Sequence, residues 1–370
     1  MSYEIPYFSF DKMNSDTGED LSLAFRQIMD SKWYILGRHL TAFENEFAEY
    51  IGVKHAIGVG NGFDALRISL ESLGLKKDDE VILPSLTFIA TLLAVIHAGA
   101  KPVLADVNPE TFALDYGSVE SLISPKTKAI IPVHLFGNPF DVRRIIKHTK
   151  EKEIVIIEDF AQSVGAEIEG GKTGSFGRIN AASFYPTKTL GALGDGGIIT
   201  TDVKKLADRC RSLRNYGFAD NGKHNTIGYN SRLDEMQAAF LSTKILWLDI
   251  WINERSSIAE KYRDNLSGIP GLKLPEYQKS VFPAHHIFPV LSKKREALRK
   301  HLNTAGIETR VHYGIPLHLH DSMRYLGYSK GSMPEAEKIS ERELSLPIYP
   351  GLTDNKINYI CQTIDNFQRK

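Results

Sequence analysis

At 370 residues, 42% hydrophobic and 24% charged, the chain is long enough for one large domain plus a smaller one and carries apolar material for a sizeable core. Its 45 lysines and arginines balance its 45 aspartates and glutamates, which excludes a general electrostatic pull toward nucleic acid or an anionic membrane. Two distant cysteines, Cys210 and Cys361, lack CxxC spacing and a flanking histidine, which argues against a disulfide frame or a zinc site and points to reduced thiols in the cytoplasm.

The stretch "MSYEIPYFSFDKMNSD" has neither the basic start nor the apolar core of a secretory signal. No apolar run approaches the ~18–20 residues of a membrane span. From residue 56 to about 200, short apolar runs alternate with helical patterns. The predicted strands are "AIGVG" (56–60), "EVILP" (80–84), "KPVLADV" (101–107), "KAIIPVHL" (128–135), "EIVIIED" (153–159), "AASFY" (181–185) and "GGIITT" (196–201). Several are apolar nearly throughout, as strands covered on both faces of a mainly parallel sheet are. Between them "FDALRISLESLG" and "TFIATLLAVIHAG" read as helices closed by glycine. The pattern predicts an α/β fold with its ligands beyond the carboxyl ends of the strands.

After Asp234 one long helical segment, "LDEMQAAFLSTKILWLDIWINERSSIAEKYRDNL", runs to a glycine- and proline-marked break at "GIPGLKLP". The remainder reads as a strand "HHIFPVLS", a helix "KKREALRKHLNTAG", a strand "IETRVHY" and two further helices. Residues 1–250 are assigned to a large domain that includes the amino-terminal segment, and 251–370 to a small α+β domain. The basic run "KKREALRK" is spaced like the solvated face of its helix.

Four stretches could carry chemistry. In "GVGNGFDALRISL" glycines 58, 60 and 62 close a strand and open a helix, so backbone N–H groups and the helix dipole converge on an anion site. The dinucleotide pattern GxGxxG fails there because Phe63 holds the third glycine's place. "AEIEGGKT" has Ala166 where a P-loop needs glycine, and its Gly-Gly turn reads as a β-hairpin. "EIVIIED" ends in Glu158 and Asp159, which point to opposite sides. Such acids serve solvation or capping as readily as they hold a cationic ligand atom. Phe88 ends another strand–helix turn, and Lys188 lies in the small-residue stretch "SFYPTKTLGALGDGG".

Together, an anion turn, a carboxylate, an aromatic ring and an amine match the needs of pyridoxal 5'-phosphate, whose pyridine nitrogen must stay protonated for the ring to accept electrons. An aspartate ~3 Å from that nitrogen, at an effective dielectric of ~20, contributes about 5 kcal/mol of gross attraction before desolvation.

Over nearly its whole length the chain resembles the sugar aminotransferases of the DegT/StrS family, which have the aspartate aminotransferase fold. The resemblance rests on "FENEFAEYIGVKHAIGVGNGFDALRISL", "LPSLTFIAT", "PVLADV", "PVHLFG", "IEDFAQSVGA", "GSFG", "SFYPTKTLGALGDGG" and "GYNSRLDEMQAA", in that order. It implies an α/β type I pyridoxal phosphate enzyme: a large domain with a mostly parallel mixed sheet and a small carboxyl-terminal α+β domain. It implies Lys188 as Schiff-base lysine and proton shuttle, Asp159 on the pyridine nitrogen, Gln162 on the ring hydroxyl and Phe88 stacked on the ring. Ser183 and the backbone of Gly62 and Phe63 would bind the phosphate. Asn230 would reach it from the neighbouring subunit, making a homodimer the minimal active unit.

The implied substrates are L-glutamate and a nucleotide-linked keto-sugar. "GNGFDAL" is similar to the GNG-x-DAL of enzymes that aminate carbon three, whereas carbon-four enzymes more often carry SGT-x-AL. The expected acceptor is therefore a dTDP-3-oxo-6-deoxyhexose, with a carbon-four acceptor as the alternative. Tyr185, Lys223, His312 and Tyr313 are the candidate sugar contacts. His312 also reads as a packed histidine, and Lys223 and Arg310 as surface charge or partners of a diphosphate. A dehydratase of this fold replaces the lysine by histidine, which Lys188 opposes. A non-catalytic regulator is opposed by the intact Lys188, Asp159 and Gln162, and a nicotinamide oxidoreductase by Phe63. His285, His286, His312, His318 and His320 lack metal-ligand spacing, and no metal is expected.

Overall fold

The computed structural model describes residues 3–219 and 221–369. Helices α1 (Asp11–Ser31) and α2 (Arg38–Ile51) lead into β1 (His55–Val59). Then α3 (Gly62–Ser72), β2 (Glu80–Pro84), α4 (Ile89–His97), β3 (Lys101–Ala105), α5 (Tyr116–Leu122), β4 (Thr127–Ile130), α6 (Arg143–Thr149) and β5 (Val155–Asp159) alternate. A hairpin of β6 (Glu167–Ile168) and β7 (Gly171–Lys172) precedes β8 (Ile179–Ser183), β9 (Gly197–Thr201) and α7 (Lys204–Leu213).

All seven expected strands of the first half are present and form one sheet in the order β1-β9-β8-β5-β4-β2-β3. Only β9 runs against its neighbours. Both faces are buried by alternation: Val81 and Leu83 of β2 enter one apolar cluster, and Ile82 between them enters another. The expected strand at 128–135 keeps a continuous ladder only to Ile130, Val133 then makes an isolated bridge to Asp159, and a 3-10 turn forms at Leu135–Gly137. Pro132, which has no N–H to give a ladder, stands between them. The glycine-rich "AEIEGGKT" is the hairpin its turn residues predicted, not a phosphate loop.

Beyond Asp234 the single long helix expected from sequence is two, α8 (Glu235–Ile245) and α9 (Leu248–Leu266). The bend at Leu246–Trp247 lets α8 pack on α1 and α2 while α9 crosses to a second core. The chain continues through β10 (Leu272–Lys273), β11 (Val281–Phe282), β12 (Phe288–Ser292), α10 (Arg295–Thr304), α11 (Pro334–Arg342), β13 (Glu343–Leu346) and α12 (Asp354–Gln368).

The expected strand "IETRVHY" makes only isolated bridges, Ile5 to Ile307 and Arg310 to Ser345. β13 takes the ladder position beside β12 instead. The three-stranded sheet β10-β12-β13 belongs to an apolar cluster that runs from Ile5 through Tyr262 and Phe288 to Ile364. Among the described residues no helix is long and apolar enough to cross a membrane.

Candidate active site

Because β1, β2, β4, β5 and β8 run the same way, the segments after their carboxyl ends converge. Gly62 opens α3 there, and a Cβ on it would lie 2.5 Å from the Cβ of Ser183 at the end of β8. Only glycine allows that approach. Asn61 caps α3 by accepting from the Asp64 N–H at 2.8 Å. The Phe63 ring packs edge-on against His97, so its backbone rather than its side chain is the part available to an anion. Ser183 Oγ accepts from the Tyr185 N–H at 3.1 Å and keeps its own hydrogen to donate.

Glu158 and Asp159 diverge as alternation requires. Glu158 is fully buried and accepts from the N–H groups of Gly174, Phe176 and Gly177. The Phe140 N–H donates to His134 Nδ1, so the histidine hydrogen sits on Nε2 and is given to Glu158 at 2.9 Å. Asp159, 5% exposed, has less: Thr91 Oγ1 donates to Oδ2 at 2.8 Å and the Ala161 N–H to Oδ1 at 3.2 Å. Burial raises its carboxyl above the usual range, and those two hydrogen bonds and the charge of Lys188 oppose the rise.

Lys188 stands in a tight loop closed by the Ala192 N–H on Phe184 O and the Lys188 N–H on Tyr185 O, each at 2.8 Å. Lys244 Nζ, itself buried, braces this loop through Gly191 O. Lys188 is half-buried, and desolvation pulls its amine down to about 8, with the charge of Asp159 opposing. It forms no ion pair among the described residues.

Gln162 is held on both sides: Oε1 accepts from the Phe136 N–H at 2.7 Å, and Nε2 donates to the Tyr313 hydroxyl at 3.0 Å. One Nε2 hydrogen remains free. A Cβ added at Gly137, whose φ is +88, would lie 2.9 Å from Gln162 O, so no side chain fits at this turn. Phe88 is 55% exposed, with its ring 5.9 Å from that of Tyr313, and both line a cleft of about 390 Å³.

The structure thus brings Gly62 to Ser183, Asp159 into the field of Lys188, and Gln162 and Phe88 to Tyr313. Tyr185 is exposed beside them. His312 feels the charge of Lys188. Lys223 and Asn230 lie exposed on the segment after Arg214, where Asn230 pairs with Asn215, and neither makes a hydrogen bond to this group.

Sequence reasoning missed Thr91, one polar residue in an apolar helix, and His286. The Nδ1 of His286 is buried without a partner among the described residues, and desolvation and the Lys188 charge push the ring well below its ordinary value. Nor do the histidines gather: His318 pairs with Glu337, His285 packs on Tyr277, and His312 bonds Ser345. A cavity of about 890 Å³ opens at the amino ends of the strands. Exposed Lys128, Lys150 and Lys205 line it, and it contains none of these groups.

An amine loosened by burial, within the field of an incompletely satisfied carboxylate and beside a helix start too tight for any side chain, suits an aldehyde cofactor with an anionic tail and a cationic ring nitrogen. That defines a pyridoxal phosphate enzyme of the aspartate aminotransferase fold. The chain belongs to the DegT/DnrJ/EryC1/StrS aminotransferase family, which it matches over residues 15–365.

It is 42% identical to the dTDP-3-amino-3,4,6-trideoxy-alpha-D-glucose transaminase of Streptomyces venezuelae, over 94% of this chain and 92% of that one. It is 38% identical to the dTDP-3-amino-3,6-dideoxy-alpha-D-galactopyranose transaminase of Aneurinibacillus thermoaerophilus, over 98% and 99%. The crystal structure of S. venezuelae DesV in complex with a ketimine intermediate superposes with a TM-score of 0.97 at 39% identity and covers 100% of both chains. The protein is a pyridoxal phosphate-dependent nucleotide-sugar aminotransferase.

Proposed function

We propose that the protein transfers an amino group from L-glutamate to a dTDP-linked 3-oxo-6-deoxyhexose, giving the 3-amino-3,6-dideoxyhexose. The observation that carries this reading is the Lys188 amine at about 8 in the field of the buried Asp159. Two relatives named for products aminated at carbon three support the choice of sugar.

Bound pyridoxal phosphate supplies an aldehyde that takes up the amino group and a ring that holds the electron pair left when the α-proton departs. Lys188 Nζ, part of it neutral near pH 7, takes that proton and returns it. Asp159 would keep the ring nitrogen protonated, the free Nε2 hydrogen of Gln162 would serve the ring hydroxyl, and Phe88 would cover the ring. The N–H groups of Gly62 and Phe63 and the Ser183 hydroxyl would hold the phosphate. Tyr185, Lys223, His312 and Tyr313 receive the sugar nucleotide.

Asn230 reaches the phosphate of a neighbouring subunit, so the active unit is a homodimer. Exposed Trp33, Tyr34, Phe25, Met29 and Ile227 supply apolar surface for it. We place a domain division near residue 250, which the separate apolar cluster around Phe288 supports. We place the protein in the cytoplasm, in keeping with free, buried Cys210 and Cys361.

The test offers dTDP-3-oxo- and dTDP-4-oxo-6-deoxyhexoses separately with glutamate and locates the new amine by NMR. Amination of the 3-oxo sugar is expected; turnover of the 4-oxo sugar alone would overturn the choice of carbon.

A further inference from the structure

Beside His312 stands a buried acid that none of these steps uses. Glu343 and Ser345 alternate along β13 and therefore share one of its faces. Three contacts tie them to His312. The His312 backbone N–H donates to Glu343 Oε2 at 2.6 Å, His312 Nδ1 lies 2.8 Å from Ser345 Oγ, and Ser345 Oγ is hydrogen-bonded to Glu343 Oε1. Glu343 and Ser345 are fully buried, the Tyr7 ring lies 5.8 Å from the His312 ring, and Nε2 of that ring has no protein partner among the described residues.

A serine hydroxyl has one hydrogen to give, so this chain of contacts has only two polarities. With Glu343 ionised, Ser345 donates to the carboxylate and accepts from Nδ1–H, which leaves His312 Nε2 as a bare acceptor. With Glu343 protonated, the carboxyl hydrogen goes to Ser345 Oγ, the hydroxyl hydrogen goes to Nδ1, and Nε2–H faces outward as a donor.

We propose that Glu343 acts through Ser345 as a positioning pair that sets the tautomer of His312, and so decides whether that histidine offers the sugar a hydrogen-bond donor or an acceptor. The last clause rests on reading the cleft as the sugar site; the coupling of Glu343 to the tautomer does not.

Burial pushes Glu343 up to about 8 against the hydrogen bonds from Ser345 and the His312 N–H and the charge of Arg295. Tyr7 and Tyr313 also lie within its field. Burial, with the charges of Lys188 and Arg310, pulls His312 down to about 4, so near neutrality its ring carries a single N–H to place. His286 is the other ring within its field. Below the Glu343 transition the relay therefore presents Nε2–H, a donor suited to a sugar oxygen.

The experiment is solid-state NMR of the [15N]histidine-labelled holoenzyme from about pH 6 to about pH 10, with the His312 signals assigned by their loss in His312→Asn. Wild type is expected to change from Nε2–H to Nδ1–H as Glu343 ionises. Glu343→Gln, whose amide can only donate to Ser345 while its carbonyl keeps the His312 N–H, is expected to hold Nε2–H throughout. That variant retains Lys188 and its bond to the cofactor, so any titration at the lysine is common to both proteins and is separated from that of Glu343. In Ser345→Ala the transition disappears and the sugar KM rises about tenfold, while the glutamate half-reaction stays within about twofold. Ser345→Thr, which restores the hydroxyl, recovers both.

One shared tautomer in wild type and Glu343→Gln at high pH, or a transition that survives Ser345→Ala, would overturn the relay. A tautomer that follows Glu343 while the sugar KM ignores it would leave the relay standing and remove His312 from the sugar site.

Discussion

Glu158 and Asp159 are one peptide bond apart, both buried, and serve opposite ends. Glu158 is met by three backbone N–H groups and the Nε2–H of His134, so its charge is answered from within the fold. Asp159 receives one hydroxyl and one longer N–H, and burial lifts its carboxyl above the usual range. A buried acid left short of donors costs stability unless something else brings positive charge. The same holds for Lys188, whose amine desolvation pulls down to about 8. The Glu158 side of β5 is finished by folding alone, and in the proposed role the Asp159 side is finished only when a cationic ring arrives.

The largest test of that contrast is Lys188→Ala. Turnover should fall at least about a thousandfold, because no other described amine lies in the field of Asp159. Substantial transamination by this variant would end the assignment. Its stability should move the other way. A lysine lowered from 10.5 contributes stability above its unfolded value and loses it as pH falls through about 8. The cofactor-free wild type therefore carries a penalty on the order of 1–3 kcal/mol at neutral pH, which alanine removes. Urea unfolding of both apoproteins at pH 7 measures it.

Asp159→Asn comes next, with the glutamate half-reaction slowed about a hundredfold and apoprotein stability unchanged or higher. A half-reaction within about twofold of wild type in stopped-flow absorbance would remove Asp159 from the ring nitrogen. Glu158→Gln should invert the pattern. Its amide nitrogen would face N–H donors, costing about 2–3 kcal/mol of stability while the folded fraction keeps near-normal turnover. An unchanged unfolding midpoint would show the contrast between the two acids to be false.

A smaller effect tests the second buried acid. Glu343 is raised from 4.5 to about 8, so its contribution to stability is present below 4.5 and is lost as pH rises toward 8. Between those values wild type should lose on the order of 1 kcal/mol per pH unit relative to Glu343→Gln, read from paired urea titrations.

What was legible in the sequence follows the same physics. The strands of the large sheet could be read because burial on both faces forces unbroken apolar runs, and Asp159 and Lys188 because polar residues at the ends of such runs stand out. The bend at Leu246–Trp247 has neither glycine nor proline to mark it. β13 was hidden because "ERELSLP" continues a helical pattern before it. The relay of Glu343, Ser345 and His312 is assembled by the Arg310–Ser345 bridge between distant segments, and no local pattern encodes it.

Thr91 gives the finest probe, because its hydroxyl is the stronger of the two donors that Asp159 has. Valine matches threonine in shape, so Thr91→Val removes a hydrogen bond without opening a cavity in α4. The lost donor leaves Asp159 harder to ionise before the cofactor binds and more dependent on the ring nitrogen afterwards. Those two consequences oppose each other, and the first dominates because the ring nitrogen pairs best with a carboxylate already charged. Cofactor affinity should therefore weaken about fivefold, equivalent to roughly 1 kcal/mol, with the apoprotein unfolding midpoint unchanged. Equilibrium titration of apoprotein with pyridoxal phosphate reads the first quantity and urea unfolding the second. A stability loss without a change in affinity would make Thr91 a packing residue and place Asp159 with Glu158 among the acids that folding alone completes.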